Sequence, residues 1–479
     1  MSSLESEDSS EPTEGNEKQE FINSRRDFLK KASLGGLSLG AMSFDSVEEE
    51  VEYATQNVNR YSAPSDLEIT DLRYVQVGNT PIIRIDTNQD VYGLGDVRDA
   101  ADPRYALMLK GRILGRNPTN VEAIFKRIKQ FGDHGRQAGG VVAVETALWD
   151  LAGKAYGVPL YQMLGGKYRN KIRIYADTPT VEDPQKFAQR MKSRADEGFT
   201  ALKMDVGIDE VDHIPGTTVN REFWMDRDGG LGGWNMAPGS YGATEHPFTR
   251  VQVTEKGLDE IAKYFEATRE AIGYDIPLGV DHLGHFGYNE AIKIAERLEE
   301  YSLAFLEDLT PWFHTDHLKR ITESTTTPTM TGEDIYLLDG FKELIDNKAV
   351  DMVHPDPLSA GGMLPTKRIG DYAEKNGIPM WLHHAASPVS FMATMHAAAA
   401  TQNFIALEHH SVDDEGWEDL VTGIDKPLVE DGFVSVPEKP GIGVELNEEV
   451  VRERMDDDVG YFEPTPEWNE SNSWDRQWS

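Results

Sequence analysis

Three carboxylates recur at one interval in this chain. Asp281 closes the run IPLGVD, Glu307 closes LAFLE and Glu333 follows TPTMTG, at successive separations of 26 residues. A strand, loop and helix of a (β/α) barrel repeats on that scale, because a parallel crossover needs at least ~10–12 residues. Equal spacing therefore puts three acids at the C-terminal ends of successive parallel strands, aimed at one point. Carboxylates that share a point repel one another without a cation, and hard oxygens suit Mg²⁺. The chemistry expected is a metal site, with Asp281, Glu307 and Glu333 as ligands, on the catalytic face of a barrel.

The elements that must position these acids follow from apolar runs and helical periodicity. Strands fit 172–177, 200–205, 277–281, 303–307, 328–331, 351–354, 379–382 and 404–408. Helices fit the intervals, for example 184–197, 255–272, 289–300 and 362–376. Eight strands with seven helices between them predict an α/β fold, a (β/α)7β TIM-type barrel over 171–425. Alternation from Leu67 to Asp86 predicts a hairpin or meander, and helical periodicity follows at 103–114, 119–131 and 141–157. Residues 67–170 thus form an α+β capping domain. Segment 426–447 is read as a return to that domain, and 448–479 as an acidic tail. One interval breaks the rhythm. The insertion 206–253, rich in Gly, Trp and Tyr, leaves the C-terminal end of strand 2 and must lie over the active-site face, where a lid is expected.

The formal net charge is −36. Residues 1–20 contribute −6 and residues 448–479 contribute −7, which leaves −23 on the folded body. Such a surface strains the compact state at low salt, and the Debye length falls to ~3 Å at 1 M, so adaptation to molar salt is expected. No basic patch appears, which argues against a nucleic-acid partner. There are no cysteines, so disulfides, thiolate metal sites, a Cys nucleophile and a lipidated N-terminal Cys are excluded. Residues 1–46 read as a disordered acidic leader plus signal, and 47–66 as a linker. Within the leader, Ser24-Arg25-Arg26-Asp27-Phe28-Leu29-Lys30-Lys31 precedes a short apolar, Gly-rich stretch and resembles a Tat export signal. That stretch is too short for a stable membrane anchor. An exported protein is expected.

Six local sequences occur in order with the three acids: VETALWDLAGKAYGVPLYQMLGG, LKMD, LEDLTPW, TGED, PDPLSAGG and the His383-His384 segment. Together, over roughly residues 67–445, the chain resembles the mandelate racemase and muconate lactonizing enzyme branch of the enolase superfamily. Within that branch it is most similar to sugar-acid dehydratases of the galactonate dehydratase type. The resemblance implies one Mg²⁺ on Asp281, Glu307 and Glu333, a small carboxylate substrate and a homo-oligomer. It also implies that His383 abstracts the proton next to the substrate carboxylate, oriented by Asp356, 27 residues earlier. His384 faces the other side of the strand by alternation.

Lys203 and Asp205 share a face of strand 2. The racemases have lysines at both positions, so Asp205 departs from a two-base pattern and favours one-base abstraction followed by loss of a β-hydroxyl. Lys203 is expected on the substrate carboxylate or enolate oxygen, or else in an ion pair with Asp205. Glu408, which ends strand 8, is expected either beside the enediolate or as an ion-pair partner of Lys203. The galactonate-type enzymes carry their general acid two residues after the first metal ligand, where this chain has Leu283. His285, after a glycine, is the expected acid. His282 faces away if the strand runs on, yet stands with Asp205 and Lys203 among candidate substrate contacts. An epimerase or cycloisomerase on the same scaffold, and a non-catalytic sugar-acid binding protein, are the competing functions.

Overall fold

The computed structural model describes residues 66–207, 209–219, 252–285 and 288–470. The twin-arginine segment and most of the insertion, residues 220–251, lie outside them, as does the side chain of His285.

Apolar alternation buries Ile69, Leu72 and Val75 of β1 (Ile69–Val77) and Ile82, Ile83 and Ile85 of β2 (Thr80–Thr87). β3 (Tyr92–Asp96) completes an antiparallel meander in the order β1-β2-β3. The helix Gly139–Tyr156 is apolar nearly all round and buried along most of its length, as expected of a helix with protein on both sides. It touches β3 backbone to backbone. A Cβ on Gly95 would lie 2.2 Å from the carbonyl oxygen of Ala143, so this approach needs glycine.

The barrel strands are β4 (Lys171–Ala176), β5 (Leu202–Asp205), β6 (Leu278–Asp281), β7 (Phe305–Glu307), β8 (Thr329–Thr331), β9 (Met352–Val353), β10 (Met380–Leu382) and β11 (Phe404–His409). Each lies within two residues of its expected bounds. These eight pair in parallel with one another, β11 closes on β4 through Leu407↔Ile174, and the short strand Phe433–Ser435 adds antiparallel to β4. Seven helices fill the intervals, two of them opened by an acceptor side chain followed by proline. Asp183 accepts from the amides of Gln185 and Lys186 ahead of Pro184–Asp196, and Ser387 from that of Val389 ahead of Pro388–Ala400. Tyr175, Phe305, Met330 and Trp381 pack together in the barrel interior. Gly279 on β6 makes room for them, since a Cβ there would lie 2.1 Å from the Phe305 ring. This packed plug pushes all polar chemistry to the strand ends.

The chain then returns to the meander. Ile442 N donates to Asp150 Oδ1 at 2.9 Å, and Tyr92 Oη to Glu445 Oε2 at 2.8 Å. Residues 448–470, read from their charge as a tail, instead form the helix Glu448–Arg454 and pack on the meander. Asp456 N donates to Gln76 O at 2.9 Å, and Val451 and Phe462 are buried. Sparse apolar residues at the right positions outweigh the acidic composition there. At the insertion, Val219 N donates to Gln252 O at 2.9 Å, so the two ends of the excursion meet.

Candidate active site

β6 and β7 deliver their final carboxylates, and each strand then stops abruptly. The next residue in each case takes a left-handed backbone, His282 with φ 70° and Asp308 with φ 48°. Non-glycine residues seldom adopt this conformation, and it tends to occur at functional sites. It turns the following side chain back toward the strand end. Asp281, Glu307 and Asp308 consequently each offer an oxygen within 4.8 Å of one another.

The electrostatics of this group suit a cation. Both oxygens of Glu307 are buried, Oε1 2.6 Å from His354 Nδ1 and Oε2 3.5 Å from Lys203 Nζ, and neither contact has the alignment of a hydrogen bond. Burial raises Glu307 well above the ordinary carboxylate range although Lys203 lies 3.5 Å away, and Asp281 and Glu408 push it further. Burial raises Asp308 similarly, with Asp281 and Glu307 adding to it. A divalent cation with oxygen ligands would satisfy both the orphaned oxygens and the repulsion.

Glu333 is not in that three-residue group. Its Oε1 lies 3.4 Å from Arg98 Nη2 and its Oε2 3.2 Å from His383 Nε2, between the carboxylates and the histidine. Burial raises its pKa well above the usual range against the pull of Arg98, with Asp334, Asp308 and Asp281 pushing the same way. Its field still reaches the cluster.

His383, just beyond β10, meets Asp356, just beyond β9. Nδ1 of the ring lies 2.8 Å from Asp356 Oδ2, which leaves Nε2 toward the cavity. Burial pushes His383 well below the ordinary imidazole value against the pull of Glu408, so its ring is neutral. His384 faces away, its Nε2 2.9 Å from Ser390 Oγ.

Lys203 does not face substrate space. It is 1% exposed, and its ammonium lies 2.5 Å from Glu408, 3.4 Å from Asp281, 3.5 Å from Glu307 and 3.6 Å from Asp177. Burial opposes its charge, but these carboxylates raise its pKa well above the ordinary value. Glu408 is thus the partner of Lys203, and Asp205 is not. Asp205 pairs with His282, whose Nε2 is 3.4 Å from Asp205 Oδ1. His282 does not face away: the strand ends at Asp281 and the left-handed turn brings the ring to the cavity wall. Burial opposes protonation of His282, yet Asp281 and Asp205 hold it well above its ordinary pKa.

The cavity measures about 680 Å³. Asp177, Asp205, Asp281, His282, Glu333, His383 and His410 line the barrel side, and Arg98, Asp99 and Arg136 line the meander side. Sequence reasoning missed Asp177, Asp308, Arg98 and His410. Two carried a signal: Asp308 directly follows a metal-type acid, and His410 shares a strand face with Glu408 by the period of two.

The family described as "Enolase C-terminal domain-like" matches residues 186–450, and the mandelate racemase/muconate lactonizing enzyme N-terminal domain matches residues 51–165. A D-xylonate dehydratase of Haloferax volcanii is 32% identical over 402 residues, covering 81% of this chain and 89% of the relative. A D-mannonate dehydratase of Novosphingobium aromaticivorans is 28% identical, covering 78% and 90%. A solved mandelate racemase/muconate lactonizing enzyme-like protein of Rubrobacter xylanophilus superposes with a TM-score of 0.71 at 28% identity, covering 82% of this chain and 99% of that one. The chain belongs to the mandelate racemase/muconate lactonizing enzyme group of the enolase superfamily.

Proposed function

We propose that this protein is a Mg²⁺-dependent dehydratase of an aldonic acid, giving a 2-keto-3-deoxy acid. The observation that carries the reading is His383, held through Nδ1 by Asp356 and lining the same cavity as Asp281 and Glu333. A neutral imidazole with one nitrogen fixed is arranged to take a proton with the other.

Asp281 and Glu307 would hold the metal, with Glu333 and Asp308 as the further oxygen donors beside them. The chemistry a bound Mg²⁺ supplies is positive charge against the oxygens of the enediolate formed when the α-proton leaves. His383 takes that proton. Asp356 keeps the tautomer and orientation that leave Nε2 as acceptor. Lys203, enclosed by four carboxylates, balances their charge and fixes Glu408 and Asp281. The dehydratases among the relatives support water loss as the outcome, and Asp205 in place of a second lysine argues against two-base racemisation.

The test is incubation of the purified protein with D-xylonate, D-galactonate, D-mannonate and other aldonates, in molar salt with Mg²⁺ and in D₂O, read by proton NMR. Keto-acid formation is expected from at least one aldonate. His383→Asn should abolish both it and exchange at C2, and Asp356→Asn should lower kcat about 10²–10⁴-fold. Deuterium at C2 without keto acid would indicate an epimerase instead, and inertness across the library would leave binding without turnover.

A further inference from the structure

We propose that His410 is the general acid that protonates the departing β-hydroxyl. The assignment rests on the dehydratase reading above.

His410 directly follows β11, where the chain turns helical at φ −80° and ψ −31° and leaves the ring at the barrel mouth. Its neighbour His409 points the other way, against Phe391 and Trp417. Only His410 of the pair lines the cavity, with 29% of its side chain exposed there. Its ring stands 5.0 Å from that of His383, centroid to centroid, at 63°. That spacing lets two adjacent substrate carbons address the two rings, the C2 hydrogen toward one and the C3 hydroxyl toward the other.

The surroundings of the ring favour its protonated form. Nδ1 lies 3.3 Å from Asp177 Oδ2 and Nε2 3.4 Å from Glu408 Oε1. Both ring nitrogens thus face buried carboxylates across ion-pair distances. Burial alone would lower the pKa of this imidazole, but Asp177 and Glu408 hold it up to about 10. His383 and His410 thus both line the cavity, and the carboxylates of Asp177 and Glu408 keep a proton on the second ring. The rivals are less well placed. His282 is paired with Asp205 and lies next to the metal-type acid Asp281, and the side chain of His285 is outside the described residues.

The step balances. His383 takes the C2 proton, and the C2–H electron pair enters the enediolate. That pair then forms the C2=C3 bond while the C3–O bond breaks with its electrons on oxygen. The His410 proton goes to that oxygen, which leaves as water. The enol gains a proton at C3 and gives up its C2 hydroxyl proton to solvent, becoming the keto acid. One proton has been gained by His383 and one lost by His410, and solvent exchange resets both.

The experiment compares wild type, His410→Gln, His410→Asn, His285→Gln and His282→Gln, as full-length protein in D₂O with Mg²⁺. The probes are the aldonate that the wild type dehydrates and its 3-deoxy-3-fluoro analogue, because fluoride leaves without a proton. For both His410 variants, keto-acid formation should fall about 10²–10⁴-fold. C2 exchange should persist, showing an assembled site, and fluoride release should fall far less than water loss. Retained water loss in His410→Gln overturns the assignment. So does a parallel loss of exchange, water loss and fluoride release, which would mark His410 as structural. The fluoride-spared pattern at His285 or His282, with His410→Gln unaffected, overturns it in favour of that residue. Failure of the wild type to dehydrate any aldonate defeats the dehydratase reading itself, a different result from an active wild type with an active His410 variant.

Discussion

Arg98, two residues beyond β3, places its guanidinium 3.4 Å from Glu333 Oε1 while its Nε lies 3.9 Å from Asp356 Oδ2. One cation from the antiparallel meander therefore holds acids from two barrel strands, one beside the metal cluster and one behind His383. Arg98 is 1% exposed and also meets Asp334 Oδ1 at 2.6 Å. Truncation leaves buried carboxylates uncompensated, which typically costs about 3–5 kcal/mol. Arg98→Ala should lower the denaturation midpoint accordingly, and Arg98→Lys should recover only part, because an ammonium lacks the planar fork. Equal stability of Arg98→Ala and wild type in urea unfolding would refute this role.

A second tie between meander and barrel runs through Glu145. Its Oε2 accepts from Met363 N at 2.8 Å and its Oε1 from Leu364 N at 3.2 Å, capping the helix Met363–Lys375 from another domain. Trp149 Nε1 donates to the same carboxylate at 2.7 Å. Glu145→Ala should cost about 1–3 kcal/mol by orphaning the buried donors. Hydrogen exchange at Met363 and Leu364 should accelerate in step, and unchanged protection of these two amides would exclude the cap.

Stability should fall in acid through three buried, neutral histidines. Burial holds His396 near about 4, and His384 and His409 near about 3, against an ordinary value of 6.5. Above pH 6.5 both folded and unfolded chains keep them neutral. Between 6.5 and about 3 the unfolded chain binds protons that the folded one refuses, so folding loses about 1.4 kcal/mol per pH unit per histidine. His410, held up to about 10, is charged in both states across that window and adds nothing. In urea unfolding from pH 6.5 to 5, His396→Gln should gain stability relative to wild type by about 1.4 kcal/mol per pH unit, and a pH-independent difference between the two would contradict the neutral assignment.

Salt should act in the opposite direction to acid. With a net charge of −36, self-repulsion relaxes as the Debye length shrinks from ~10 Å at 0.1 M to ~3 Å at 1 M. The thermal midpoint and the activity should both rise from 0.1 M to above 1 M KCl. A midpoint that peaks at low salt would indicate that the acidity serves solubility alone.

The barrel was legible because parallel crossovers impose a period, and apolar runs ending in acids mark it. Asp281, Glu307, Asp356 and His383 were readable as strand-end residues. Backbone direction after the strand was not. His282 and Asp308 reach the site only through left-handed turns, which no alternation rule anticipates. Arg98 and Glu145 act across domains, so no local spacing announces them. Lys203 was correctly placed on its strand face, but four acids from four other strand ends claim its charge, and that competition exists only in three dimensions. The chain after 448 was misjudged because composition was weighed above the positions of Val451 and Phe462.

The meeting of Val219 and Gln252 has a consequence for how this scaffold diversifies. The intervening stretch leaves and re-enters the barrel through a single doorway one hydrogen bond wide. Its length is therefore decoupled from barrel closure, and doubling it costs only about 0.6 kcal/mol of loop entropy. The segment between Val219 and Gln252 can therefore be lengthened, shortened or exchanged without retuning any barrel strand.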